Sequence, residues 1–479
     1  MQLSQGILTF KLDITGAQPA ALTAYAGLPL VLETLRTMRL ARRFRRVATA
    51  LGYRAWTTVR RHIESAVVSI AAGGECIDDL AYLRADPGLA SLLGFELSSP
   101  TQMKDFLYRF HQAEDGRQLG DDDDAVLSVA GSAQIRPEGP GLEALSGLVE
   151  AVVERVQRRE QRSRATLDVD ATIIEAHKKQ ALVAYEGTRG YQPQMAWWAE
   201  HQVWVADQFR DGNVPAAFQA KAFLQQAFGA LPGTVQARRL RADSALYDEQ
   251  ALTWADEEQI EFAVSADMSE SLQQHVAALP ESAWKPYRGQ REDASEERQW
   301  AEVVFVPGWA RNHKKAGEPF RYLAIRVRSR QRDLFVEDST RWRHFAVVTN
   351  MSWDGARLLR WHREKQGTVE HGHGGLKADL AGGTLPCGRF GANAAWWRLN
   401  VLVHNVLQLM KVVALPESMR PWRMKALRFR LLNIAGRLVR HARQLVLRIS
   451  THLPTAGIYA AAREALLELR RHPPPAPAA

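Results

Sequence analysis

The sequence predicts an α/β fold: a central sheet with helices between its strands, an antiparallel β insertion, a helical N-terminal domain and a basic C-terminal region. Three observations predict it. The stretch Ala165-Thr-Leu-Asp-Val-Asp-Ala-Thr-Ile-Ile174 alternates with β-branched residues directly after a long polar helical pattern. A helical run from Phe218 to Leu231 separates strand-like runs at 199–209 and 235–242, the alternation of an α/β core. Two further strands, 302–306 and 322–328, are separated only by a polar, Lys/Gly-containing loop, so they read as an antiparallel pair.

Taken in order, residues 28–64 read as helices, because Leu30, Leu32, Leu35, Met38 and Leu40 recur at near-helical spacing between arginines. Asp86-Pro-Gly88 reads as a turn, and Ser98-Ser-Pro-Thr101 as an N-cap with proline at the first helical position. The stretch 77–111 therefore resembles short helices joined by turns, as in a helix-turn-helix module, although three short helices are also a common core solution. Asp121 to Asp124 read as a solvated acidic loop. Residues 142–164 form a helix that turns very polar. Strands follow at 165–174, 199–209, 235–242, 259–265 and 344–349, and 392–409 is a strongly apolar, buried helix. The tail Pro473-Pro-Pro-Ala-Pro is low-complexity.

At 479 residues the chain is too long for one ordinary core. Its formal net charge of +9 is modest, so the distribution carries the information. Arginines cluster between Arg36 and Arg61. No acid occurs between Glu417 and Glu464, a stretch that carries Arg420, Arg423, Lys425, Arg428, Arg430, Arg437, Arg440, Arg443 and Arg448. A basic face near each end predicts a polyanionic partner, DNA, against the simpler reading of a solvated surface. Two cysteines, Cys76 and Cys387, argue against a disulfide framework or a cysteine zinc site and suit a reducing cytoplasm. No secretory leader or membrane span is expected. No Gly-x-x-x-x-Gly-Lys-Ser/Thr loop and no Gly-x-Ser-x-Gly elbow occurs, which removes support for ATP-driven and serine-hydrolase chemistry.

Three acidic residues carry the chemical reading. Asp170 lies in Thr166-Leu-Asp-Val-Asp-Ala-Thr172, Asp243 in Leu240-Arg-Ala-Asp-Ser244 and Glu370 in Gly367-Thr-Val-Glu-His371. Two carboxylates at strand ends and a third on a helix can surround a pair of Mg²⁺ ions, which take oxygen ligands and drive phosphodiester chemistry. Asp168 is an immediate rival to Asp170, because residues two apart on a strand face the same side. Lys377, about 10 Å along the helix from Glu370 and on its face, could hold a DNA phosphate. His371 and His373, beside three glycines, read as loop residues in preference to a zinc site.

The series of motifs resembles the DDE transposases of bacterial insertion sequences, in the IS-four-like superfamily and nearest its thirteen-eighty branch. The matching stretches are Asp168-Val-Asp-Ala-Thr-Ile-Ile-Glu175, Gly190-Tyr-Gln-Pro193, Phe209-Arg-Asp-Gly-Asn-Val-Pro-Ala216, Leu240-Arg-Ala-Asp-Ser-Ala-Leu-Tyr247, Trp361-His-Arg-Glu-Lys-Gln-Gly-Thr-Val-Glu370 and Leu385-Pro-Cys-Gly-Arg-Phe-Gly-Ala-Asn-Ala-Ala-Trp396. They run in family order over most of 165–445. The resemblance implies an RNase H-like core in two parts, 151–267 and 341–415, split by a β-rich insertion at 268–340. A helical DNA-binding domain at 1–150 and a basic region at 416–479 flank it. It implies Asp170, not Asp168, as the first catalytic and metal-binding acid, with Asp243 and Glu370 as the others. Mg²⁺ is the implied cofactor, with Mn²⁺ able to substitute. The family's Tyr-x₂-Arg-x₃-Glu-x₆-Lys pattern keeps Glu370 and Lys377, but Arg363 and Gln366 stand at its Tyr and Arg positions. Arg363 or Lys365 is then the substitute DNA contact beside Lys377. In related enzymes an aromatic of the insertion stacks on a flipped base; Trp300 and Trp309 are the candidates here, with a strand-core role as the alternative. The implied function is cut-and-paste transposition: binding of terminal inverted repeats, cleavage and strand transfer into target DNA, by a homodimer on DNA in the bacterial, nucleoid-associated cytoplasm. The alternative is a transposase-derived DNA-binding protein or nuclease without transposition.

Overall fold

The computed structural model describes residues 22–120, 133–178, 180–287, 296–311, 320–329, 342–441 and 444–471. The acidic run 121–124 and the proline-rich tail lie outside them. Its centre is a nine-stranded mixed sheet. Numbered in chain order, its strands are β1 Arg164–Ala171, β2 Gln194–Trp198, β3 Val203–Gln208, β4 Ala237–Ala242, β5 Glu261–Ala266, β6 Lys285–Pro286, β7 Glu296–Val303, β8 Arg321–Ser329 and β9 Arg343–Thr349. They lie side by side as β6-β7-β8-β9-β5-β4-β1-β2-β3. The β1–β2–β3 meander is antiparallel, whereas β4 and β5 run parallel to β1. This α/β arrangement is consistent with the RNase H-like core that the resemblance implies.

The run 199–209 holds only one of two strands. β2 was not legible because Gln194-Met-Ala-Trp-Trp198 is buried on both faces and so lacks alternation. The outer edge of β3 is not left bare. Asn405, on the helix Phe390–Val413, accepts from Trp204 N at 3.0 Å and donates to Trp204 O at 2.7 Å. That helix is buried along nearly its whole length and packs against β3 and the helix Pro140–Glu160. Its Arg398 is fully buried, and it reaches Asp207 of β3 at 3.0 Å and Glu138 at 2.6 Å, so the charge is paired on two sides.

Among the described residues, the strands within 268–340, β6, β7 and β8, form no separate sheet. β9 pairs antiparallel with β5, so β6–β9 extend the core sheet past the edge that β5 would otherwise expose. Asp86-Pro-Gly88 differs from the sequence expectation: Asp86 caps a helix, Pro87–Leu93, by accepting from Leu89 N. Ser99 and Gln102 form the capping box of the next helix, Pro100–Tyr108. The N-terminal and C-terminal parts of the described chain meet. Leu22–Thr23 pairs with Gly436–His441, which pairs with Gln444–Ile449, and Tyr459 of the helix Ala456–Arg471 donates to Ala26 O at 2.9 Å. No helix among the described residues is long and apolar enough to cross a membrane, and no disulfide joins Cys76 and Cys387.

Candidate active site

The parallel register of β1 and β4 builds the site. It sets Asp168 opposite Arg241 and Val169 opposite Ala242, so Asp170 and Asp243 emerge side by side at neighbouring carboxyl ends. Asp168 and Asp170 point to the same face but have different surroundings. Asp168 is fully buried and takes a two-pronged ion pair from Arg241, at 2.6 and 2.9 Å, plus a hydrogen bond from the Thr368 hydroxyl. Arg241 also donates to Trp361 O at 2.7 Å and meets Glu364 at 3.0 Å, and the ring of His362 donates to Ala242 O at 3.0 Å. Asp168 is thus spent on clamping the 361–368 segment against the strand ends. Asp170, one step further out, borders the cavity.

That cavity, of about 660 Å³, is lined by Asp170, Asp243 and Glu370 together. Lys365 sits among them, with Nζ 3.5 Å from Asp170 and 3.9 Å from Asp243. Burial pushes the Asp170 carboxyl up to about 6; the Lys365 charge pulls it back and the neighbouring Asp243 carboxyl adds to the rise. Glu370 is exposed in the first turn of the helix Val369–Gly374. Arg363 and Gln366 also face the cavity, and β7 and β9 add Arg298, Arg343 and the half-exposed Phe345 to its lining.

The segment after Glu370 departs from its sequence expectation in two ways. The His-x-His segment is helical, not a loop. Gly372 is what lets it pack, since a Cβ there would lie 2.7 Å from the Trp204 ring and 3.0 Å from that of Trp197. Beyond it the chain winds into a wider π turn, Gly375–Asp379, so Lys377 does not stack above Glu370. Its Nζ donates to Ile173 O at 3.1 Å and faces a second cavity of about 490 Å³, beside Tyr185 and Glu186. Trp300 is buried, with its ring packed where a Cβ on Gly355 would be, and Trp309 is partly covered against Phe320. The anchoring roles of Arg241 and Thr368 were missed. A signal existed, because Arg241 precedes Asp243 as Asp168 precedes Asp170.

The donor set suits a hard divalent cation at its centre. The Asp170 and Asp243 carboxylates are crowded together and offer only oxygen donors, and the Lys365 ammonium already stands where positive charge is favoured. Glu370 borders the same cavity, but among the described residues no three metal-ligating side chains converge on one point.

The model of the family described as transposase DDE domain, group 1, matches residues 9–471. The chain belongs to that family. Among solved structures, this DDE transposase chain is similar to the piggyBac transposase in its synaptic complex with hairpin DNA, at 8% identity, with 93% of this chain and 83% of that one covered and a TM-score of 0.46. No curated protein matches it.

Proposed function

We propose that this transposase cuts and joins DNA at the cavity shared by Asp170, Asp243 and Glu370. The observation that carries the reading is the pairing of Asp170 with Asp243 at adjacent ends of parallel strands, with Glu370 on the same cavity. Mg²⁺ or Mn²⁺ held by these carboxylates would polarise the scissile phosphate and ease attack on it. In cleavage, a water oxygen bonds to phosphorus, the P–O3′ bond breaks and the 3′ oxygen leaves as a hydroxyl. In strand transfer the oxygen of that 3′-OH bonds to a phosphorus of the target strand, the target P–O3′ bond breaks and the target's 3′ oxygen leaves as a hydroxyl, taking up the proton that the attacking hydroxyl gives up. Lys365 faces the point where charge develops on the phosphate, and Arg363, Arg298 and Arg343 offer contacts for the flanking backbone. Lys377 serves a phosphate outside the acidic cavity, on the far side of Asp170–Ala171.

The N-terminal helices and the basic C-terminal region hold the inverted repeats of the element. Arg437 and Arg448 face each other across the 436–449 hairpin, and like charges directly opposite destabilise a strand pair unless an anion lies over them. Assembly as a homodimer on DNA and membership of the thirteen-eighty branch complete the reading. The test is cleavage of an inverted-repeat duplex with Mg²⁺: Asp243→Ala abolishes it, and full activity of that variant would overturn the assignment.

A further inference from the structure

Three residues after Glu370, on the same helical face, lies a histidine whose environment has no structural explanation. His373 is 6% exposed, and among the described residues neither of its ring nitrogens has a hydrogen-bond partner. Leaving a buried polar group unpaired costs about 1–3 kcal/mol, so a leucine or phenylalanine would fill the site more stably. The close approach that Gly372 permits presses the ring to within 5.1 Å of the Trp204 centroid, which fixes its position. From there Nε2 points to Asp170, 3.8 Å from Oδ2.

Asp170 is less firmly held than its neighbour. Asp168 is gripped through both oxygens by Arg241 and Thr368. Asp170 Oδ1 accepts from Ala171 N at 3.1 Å and lies 3.5 Å from Lys365, and Oδ2 faces His373 at a distance about 0.8 Å beyond a hydrogen bond. Bringing Oδ2 that much closer to the imidazole would make the hydrogen bond. His373 does not border the cavity itself, so it reaches the chemistry only through Asp170.

We infer that His373 is a positioning residue for Asp170, donating its Nε2–H to Oδ2 so that the other oxygen is aimed at the cation. Hydrogen bonds of this kind orient a ligating carboxylate, and their loss weakens metal binding without removing a ligand. The inference rests on the reading of Asp170 as a cation ligand.

The experiment is a Mn²⁺ titration of the full chain without DNA, followed by electron paramagnetic resonance, on the wild type, His373→Leu, His373→Gln and Asp170→Asn. His373→Leu is expected to bind Mn²⁺ about 10–100-fold more weakly, with an unfolding midpoint equal to or above that of the wild type. His373→Gln, which keeps a donor, recovers most of the affinity. Wild-type affinity in His373→Leu, with binding lost in Asp170→Asn, overturns the positioning role alone. Wild-type affinity in Asp170→Asn overturns the reading of Asp170 and the role of His373 with it. If His373→Leu fails to fold, the comparison moves to His373→Phe, whose ring fills the same space; wild-type affinity there overturns the inference equally.

Discussion

At the scale of single residues, two aspartates two positions apart on one strand do different work. Asp168 is paired, buried and structural; Asp170 is crowded, partly desolvated and borders the cavity. Asp168→Asn therefore strands the Arg241 guanidinium and should lower the unfolding free energy by about 3–5 kcal/mol in urea titrations. Asp170→Asn should leave that free energy unchanged or raised, because it removes a charge disfavoured by burial and repelled by Asp243, while cleavage is lost. Alternation along the strand could not separate the two. What separates them is the parallel register with β4, which puts Arg241 opposite Asp168 and Asp243 beside Asp170. Lys365 was legible as a basic residue near Glu370, but its place between the aspartates depends on the 361–368 segment being clamped, which no local pattern records.

At the scale of elements, the strands β1, β4, β5, β8 and β9 were legible, and so was the buried helix Phe390–Val413. β2 was not, because tertiary burial of both its faces erased the period. The segment after Glu370 was misread because its glycines signal a loop, whereas Gly372 is small so that a helix can rest on two tryptophans. Gly372→Ala forces a methyl group against the buried Trp204 ring. It should cost about 1–3 kcal/mol in thermal unfolding and slow cleavage by displacing Glu370. The 436–449 hairpin carries its own test. Replacing Arg437 and Arg448 with glutamine should stabilise the DNA-free protein slightly and weaken DNA binding. It should also reduce the slope of log affinity against log salt by about 0.9 for each phosphate no longer neutralised.

At the scale of the whole molecule, the N-terminal and C-terminal parts share one small sheet, and the C-terminal region reaches the end of the 375–379 turn through Arg423, which pairs with the buried Asp379 at 2.6 Å. The basic stretch is therefore partly consumed in holding the fold: Arg420 pairs with Glu160, and Arg428 donates to Ala71 O. Burial also holds several histidines neutral, with His62 and His201 pushed down to about 4 and His404 to about 3. Below pH 6.5 the unfolded chain takes up protons at these positions and the folded chain does not. Stability should then fall as pH drops from about 6.5 to about 4, by up to about 1.4 kcal/mol per unit of depression at each site. The raised Asp170 works in the opposite sense over part of that window, so Asp170→Asn should steepen the loss. Urea midpoints at pH 7.5, 5.5 and 4.5 measure both.

Across all three scales, we propose that three acids from three separate segments, Asp170, Asp243 and Glu370, act as one catalytic centre. The most direct test is the cleavage rate of an inverted-repeat duplex with Mn²⁺ for Asp170→Asn, Asp243→Asn, Glu370→Gln and their pairwise combinations. Residues that act as a unit are non-additive, so each single variant should lose nearly as much rate as any double. A Glu370→Gln enzyme that cleaves at the wild-type rate, or doubles whose losses are the products of the singles, would contradict the account.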